Sequence, residues 1–366
     1  MDALSDYSDH WDDSMSDSSQ SDHSDASMGT YRSEASSRTS VDMSVRSASP
    51  ARSVVSVTDS VRAQAIREEH GRGVNNYSDV YLLPADDDEV NRLNHQHILM
   101  TKIMGKYPPP ILEAMRQDDH GETKAILDLG CGGGNWIMDA AHDFPEASCV
   151  AVDLVPMQIL DMPPNCRSEV DDINLGLEHF YGDFNVVHMR LINTGIKDYA
   201  GLIVHISRVL RPGGLIDMLE FGYKIFDNNR QIVPPSEAPG STWLPRWFDK
   251  IYIAVGRRGG CLDSASHMYG WVKDIPAFTD VTYRGFWTPT SPWLKGHDPE
   301  TKHQNDLGRL MRDDIKEFLK SGRPLLLASG LSVAYVDELE NGCRQELDEA
   351  KAPHYIVLEQ VYARRR

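Results

Sequence analysis

The run Ala125-Ile-Leu-Asp-Leu-Gly-Cys-Gly-Gly-Gly-Asn-Trp136 constrains this chain more than any other stretch. An apolar segment carrying Asp128 gives way to Gly130, Gly132 and Gly134 in alternation, and a helical pattern follows. That order reads as a buried parallel strand turning tightly into a helix. Glycine removes the Cβ where a ligand must lie against the backbone. The free N–H groups at the helix start then face that ligand and favour a negative group. The turn is therefore expected to hold a small-molecule cofactor.

Two cofactors compete. A dinucleotide fingerprint wants Gly-x-Gly-x-x-Gly, and its third glycine would fall on Asn135. The spacing here is Gly-x-Gly-x-Gly with Asp128 two residues upstream, which resembles motif I of Rossmann-like S-adenosylmethionine-dependent methyltransferases. Three companions favour the second reading. Cys149-Val-Ala-Val-Asp153 is another apolar strand ending in an acid, and a carboxylate there can accept from both ribose hydroxyls. Val170-Asp-Asp-Ile-Asn174 is an acidic turn where a third strand should end; in the methyltransferase pattern it reaches the adenine. Arg211-Pro-Gly-Gly214 precedes a further apolar strand. An NAD-dependent oxidoreductase remains the alternative.

The chain has 366 residues and a formal net charge of −18, enough for one large domain. No run approaches the roughly 20 apolar residues of a membrane span. The acidic N-terminus is neither a secretory signal nor a basic presequence. Five scattered cysteines without a Cys-x-x-Cys pair suggest no disulfide framework and no metal site, and hence a reducing compartment, cytosol or nucleus. No basic stripe is present, so direct nucleic-acid binding is not expected.

Residues 1–70 differ in kind from the rest. The first 30 hold eight acids and no Lys or Arg, among many serines. Such a segment cannot bury enough apolar area to offset its ordering entropy, so disorder is expected. Serines spaced by arginines between Arg38 and Ser56, Ser49-Pro50 among them, offer phosphorylation sites or simply a solubilising tail.

The folded part is expected over 71–366, with a core at 111–221 and a cap with the last strands at 222–366. Tyr77–Leu83 reads as extended. Acids at 86–89 start a helix through Met104, and a second helix runs from Ile111 to about Gln117. Strands are expected near 125–129, 149–152, 167–170, 184–189 and 215–221, and helices near 135–143 and 197–210. The Pro-rich link after Asp153 gives poor support for a helix. Further helices are expected near 241–255, 262–274, 300–320 and 331–350, and strands at 279–287 and 354–362. The alternation implies a mostly parallel seven-stranded α/β sheet with helices on both faces and a helical cap inserted late. Ligands then lie outside the carboxyl ends of the strands.

Arg92-Leu-Asn-His-Gln-His97, the glycine motif, Val186-Val-His-Met-Arg190, Arg211-Pro-Gly-Gly214 and Tyr355-Ile-Val-Leu-Glu-Gln-Val-Tyr-Ala-Arg364 together resemble fungal LaeA-like methyltransferases over about residues 71–366. The resemblance implies the Rossmann-like methyltransferase fold, S-adenosylmethionine and a link to fungal secondary metabolism. Members of that family look like nuclear regulators working with velvet-type proteins, or like tailoring enzymes that methylate a natural product; the acceptor is a small molecule or a protein. Gly133 and Asn135 depart from the usual Thr and hydrophobic residue, at positions that contact cofactor through backbone.

Methyl transfer needs orientation and a shaped pocket more than an acid–base pair. By motif position Gly130, Cys131, Gly132 and Gly134 bring backbone to the methionine portion. Asp153 holds the ribose, Asp172 or Asp171 faces the adenine, and Asp128 orders the turn or receives the ammonium group. His188 and Arg190, at the end of the fourth core strand, are the catalytic or substrate-holding candidates, although a lone strand histidine is more often a satisfied core residue. Glu220 and Tyr223 are expected as pocket walls. Gln96 and His97 sit on a helix placed to cover the cofactor, with packing the commoner role for His97. The tryptophans at 243, 247, 271, 287 and 293 either line a substrate pocket or pack the cap.

Overall fold

The computed structural model describes residues 63–116, 121–157 and 161–366. Most of the expected disordered head, residues 1–62, lies outside the described residues. The described chain opens with a hairpin, β1 (Ile66–Glu69) and β2 (Arg72–Asn75), which starts upstream of Gly71. Tyr77–Leu83 is irregular rather than a strand. Helix α1 (Asp87–Met104) follows, with Asp86 as N-cap accepting the Glu89 N–H and three acids in its first turn, as the helix dipole favours. The short α2 (Pro109–Ala114) ends earlier than its sequence pattern suggests.

The core then alternates: β3 (Ala125–Leu129), α3 (Asn135–Asp143), β4 (Ser148–Asp153), β5 (Cys166–Val170), β6 (Phe184–Arg190), α4 (Tyr199–Val209) and β7 (Leu210–Phe221). After it come α5 (Trp243–Arg257), α6 (Ser264–Asp274), β8 (Phe278–Pro289), α7 (Pro299–Ala328), α8 (Val333–Glu349) and β9 (Tyr355–Arg365). The seven core strands lie in the order β5-β4-β3-β6-β7-β9-β8. All neighbours in the core pair parallel until β9, which runs antiparallel to both β7 and β8.

Alternate residues of the central strands feed opposite faces. Leu127, Leu129, Val187 and Met189 pack with Ile203 and Ile206 of α4 and with Met268 of α6. Ile126, Ala151 and Val186 pack with Ile111 of α2 and with Ile137 and Ala140 of α3. Both faces are thus covered, as a parallel sheet requires. A third cluster joins α1, α5, α7 and α8 around Trp247, Phe248, Leu319 and Leu339.

Helix α7 runs 30 residues, well beyond its expected end near 320, and contains Pro324. Proline removes the N–H that would bond the Lys320 carbonyl. The Arg72 guanidinium lies 3.5 Å from that carbonyl, a long contact that offers it a partner. No described helix is long and apolar enough to cross a membrane.

Candidate functional site

The chain moves outward from β3 to β4 and β5, then returns to β6, so β3 and β6 flank a topological switch point. Ligands in open α/β sheets bind there, beyond the strand ends. A cleft with an empty volume of about 1410 Å³, counting its open mouth, occupies this place. Gly130, Cys131, Gly132, Gly133 and Asn135 form part of its wall.

Gly130 and Gly132 have φ of 68° and 54°. A Cβ at Gly130 would fall 2.5 Å from Ile192 Cγ2. Gly134, at φ 77°, does not face the cleft; it sets the left-handed N-cap position of α3 and supplies no side-chain cap. The first-turn N–H groups of α3 therefore remain for another acceptor.

Asp153 ends β4 and lines the cleft. Its Oδ2 accepts the Gly132 N–H at 2.8 Å and its Oδ1 the Val155 N–H at 3.2 Å. Burial raises its carboxyl above the usual range, and those N–H groups oppose the rise. Beyond β5, Asp172 accepts the Asn174 N–H at 3.0 Å, and Asp171 lies 3.6 Å from His179. Both acids line the cleft beside Ile173. The three strand-end acids thus share one wall with the glycine loop.

Asp128 is buried, and its Oδ1 accepts from His188 Nδ1 at 2.8 Å. The His188 ring lies flat on Trp136 of α3, with centroids 3.6 Å apart and planes at 5°. His188 is therefore held on two sides although it lines the cleft. Two residues on, Arg190 Nη2 lies 3.3 Å from His97 Nδ1, and His97 Nε2 lies 3.1 Å from Asp139 Oδ2. A guanidinium only donates, so Nδ1 accepts and Nε2 carries the proton. Burial, with Arg190 beside it, keeps the His97 pKa below its usual value. His97 is thus a polar joint between α1, α3 and β6 rather than a packing residue.

Helices α1 and α7 roof the cleft. Arg92 contacts Glu89 at 2.7 Å and Asp314 at 3.1 Å, and Gln96 donates to Asp314 at 3.3 Å. Burial raises Asp314 while Arg92 opposes it. Tyr81, Arg92, Phe248, Met311, Asp314 and Phe318 are lining residues that the sequence left unassigned. Met311, Asp314, Ile315 and Phe318 follow helical i, i+3, i+4, i+7 spacing. That signal marks a face without saying what it covers.

One open choice is decided and one expectation is corrected. None of the five cap tryptophans lines the cleft; Trp247 is fully buried and packs against Phe318 with centroids 5.3 Å apart. Tyr223 does line it, but Glu220 stands behind the wall. Its Oε1 accepts the N–H groups of Ile192 and Asn193 and the Tyr199 hydroxyl, and burial pushes its carboxyl up to about 8.

The sheet order, the glycine turn and the acids beyond β4 and β5 define a Rossmann-like methyltransferase, an enzyme class that uses S-adenosylmethionine. A methyltransferase-domain family matches residues 126–214. The secondary metabolism regulator laeA of Coprinopsis cinerea is 42% identical over 82% of this chain and 74% of its own length. Methyltransferase pytC of Aspergillus terreus is 30% identical over 84% of this chain and 90% of its own. The protein-methionine methyltransferase laeA of Emericella nidulans is 25% identical over 75% and 69%. This chain belongs to the LaeA-like methyltransferase family.

Proposed function

We propose that the chain transfers a methyl group from S-adenosylmethionine to an acceptor in fungal secondary metabolism, with the methyl donor held on the β3–β5 side of the cleft. The carrying observation is Asp153, whose carboxylate grips Gly132 and borders the cleft where a ribose diol would lie. The residues present fit such a group. The glycine loop leaves backbone exposed, the uncapped start of α3 suits a carboxylate, and Asp128 suits the ammonium. Asp171 or Asp172 faces the adenine. When bound, S-adenosylmethionine supplies a methyl carried on a sulfonium.

The chain's own residues then orient and exclude water. Asp153 fixes the sugar, and the α1–α7 roof shields the reacting centre. His188, braced by Asp128 and Trp136, positions the acceptor side rather than acting as a free base, and Arg190 holds an acidic group of the acceptor. The methyltransferase domain takes in the β1–β2 hairpin and runs to residue 366, and residues 1–62 serve as a regulatory head.

Calorimetric titration tests the reading. S-adenosylmethionine should bind and NAD should not. No heat with S-adenosylmethionine, or heat with NAD alone, sinks it.

The name of the Coprinopsis cinerea relative, a secondary metabolism regulator, favours a second reading in which the fold acts as a regulator; a velvet-type partner and a nuclear location belong to that reading. Deleting residues 1–62, which leaves the β1–β2 hairpin in place, separates the two. A tailoring enzyme keeps its turnover, whereas a regulator loses partner binding or nuclear entry.

A further inference from the structure

The sheet order divides the cleft. Its cofactor wall comes from the ends of β3, β4 and β5. The opposite wall comes from beyond β6: Tyr223 after β7, Leu358 on β9, Phe248 on α5 and Met311, Ile315 and Phe318 on α7. These six side chains are buried, at no more than 9% exposure, yet they border the empty space. They therefore line a recessed inner chamber of the cleft, away from its open mouth. A recess lined by buried apolar side chains suits a small molecule better than a folded protein surface.

The charges on the chamber wall are unequal. Arg92 is matched by Glu89 and Asp314. Arg190, at the divide between the two halves, has no carboxylate within ion-pair distance among the described residues. Its direct contact is the neutral acceptor nitrogen of His97. Asp128, Asp217 and Asp139 act on it only from a distance, so its donor fork has no carboxylate in contact. The cofactor's own carboxylate has an alternative seat at the uncapped α3 start, which leaves Arg190 for the other ligand.

We propose that the methyl acceptor is a small, largely apolar molecule bearing one acidic group, its body in the β7–β9 chamber and its anion on Arg190. His97 is the positioning residue that aims the guanidinium, itself anchored by Asp139. The inference rests on the methyltransferase reading of the same cleft.

Two probes of one shape test it: anilinonaphthalene sulfonate, an aromatic body with one fixed anion, and phenylnaphthylamine, the same body without the anion. Fluorescence titrations use the full chain saturated with S-adenosylhomocysteine, whose own binding is measured first by calorimetry. Both probes should bind the wild type. Arg190→Gln should weaken the sulfonate probe about tenfold or more, the scale of a lost charge-assisted hydrogen bond, and leave the neutral probe and S-adenosylhomocysteine within about twofold. Ile315→Trp, which fills the chamber, should remove both probes while S-adenosylhomocysteine still binds, which also certifies the fold.

Loss of S-adenosylhomocysteine binding in Arg190→Gln, with the sulfonate probe unaffected, would assign Arg190 to the cofactor's carboxylate and overturn the proposal. Failure of both probes on the wild type, or indifference to Ile315→Trp, overturns it as well and leaves a protein side chain as the acceptor. Failure of S-adenosylhomocysteine alone strikes the underlying reading, and the probes report on the chamber regardless.

Discussion

Replacing Asp153 with Asn probes the reading at its narrowest point. The carboxylate now serves two backbone donors, Gly132 at 2.8 Å and Val155 at 3.2 Å, on separate oxygens. An amide has one acceptor oxygen, so in either orientation its NH2 group confronts one of those N–H groups. Leaving that donor unpaired costs about 1–3 kcal/mol and lowers stability. Losing a charge-assisted bond to a ribose hydroxyl costs about 1.5–3 kcal/mol of binding. At about 1.4 kcal/mol per tenfold, affinity for S-adenosylhomocysteine should fall by roughly 10- to 150-fold.

Calorimetry across a pH series adds a second signature. Burial raises the Asp153 pKa, and only the ionised form accepts from both hydroxyls. Wild-type affinity should therefore hold at high pH and decline as pH falls through a value above the ordinary 3.8. The Asn variant should lack that carboxylate-dependent decline. An affinity within about twofold of wild type, with the same pH slope, would refute the role assigned to this carboxylate.

Three further outcomes follow from the same geometry. Gly130→Ala should lower the urea midpoint, since a left-handed alanine costs about 1–2 kcal/mol and its Cβ would meet Ile192 at 2.5 Å. Glu220 has a folded pKa of about 8 against an ordinary 4.5. The native state then keeps a proton that the unfolded chain releases, so its stabilising effect is complete below about pH 4.5 and is lost as pH rises through about 8. Glu220→Gln should flatten that decline in urea melts across the window. Finally, deletion of residues 1–62 and of 1–70 should differ in thermal melting, with the longer deletion lower. It alone removes β1 and the fully buried Ala65.

The sequence made the β3–β5 half of the cleft readable because local chemistry dictates it. Apolar strand, acid and glycine turn sit together in the chain, and the positive φ at Gly130 and Gly132 is what such spacing demands. The acids at 153, 171 and 172 were legible for the same reason: each ends a strand or the turn after it. The other half was not, because its walls come from segments far apart. Arg92 and Asp314 meet across 222 residues, and neither carries a local motif. Glu220 was misplaced because strand alternation gives a face, whereas three donors on the far side decide where its carboxylate is used. The tryptophans left two readings open for a related reason: aromatic density in a cap marks a pocket or a core, and Trp247 lies in a core. The β1–β2 hairpin escaped notice because each strand has four residues and little apolar alternation.

Strand β9 follows β7 and β8 in sequence yet lies between them. Half of the sheet is thus closed by a keystone that arrives after the pieces it joins. A premature stop ahead of Tyr355 would leave Phe286 and Trp287 of β8 without the Leu358 and Val357 backbone they pair with, and Leu219 of β7 without Gln360. Such a product would present two raw strand edges to other chains, and its fate would be aggregation or degradation rather than a partly active enzyme.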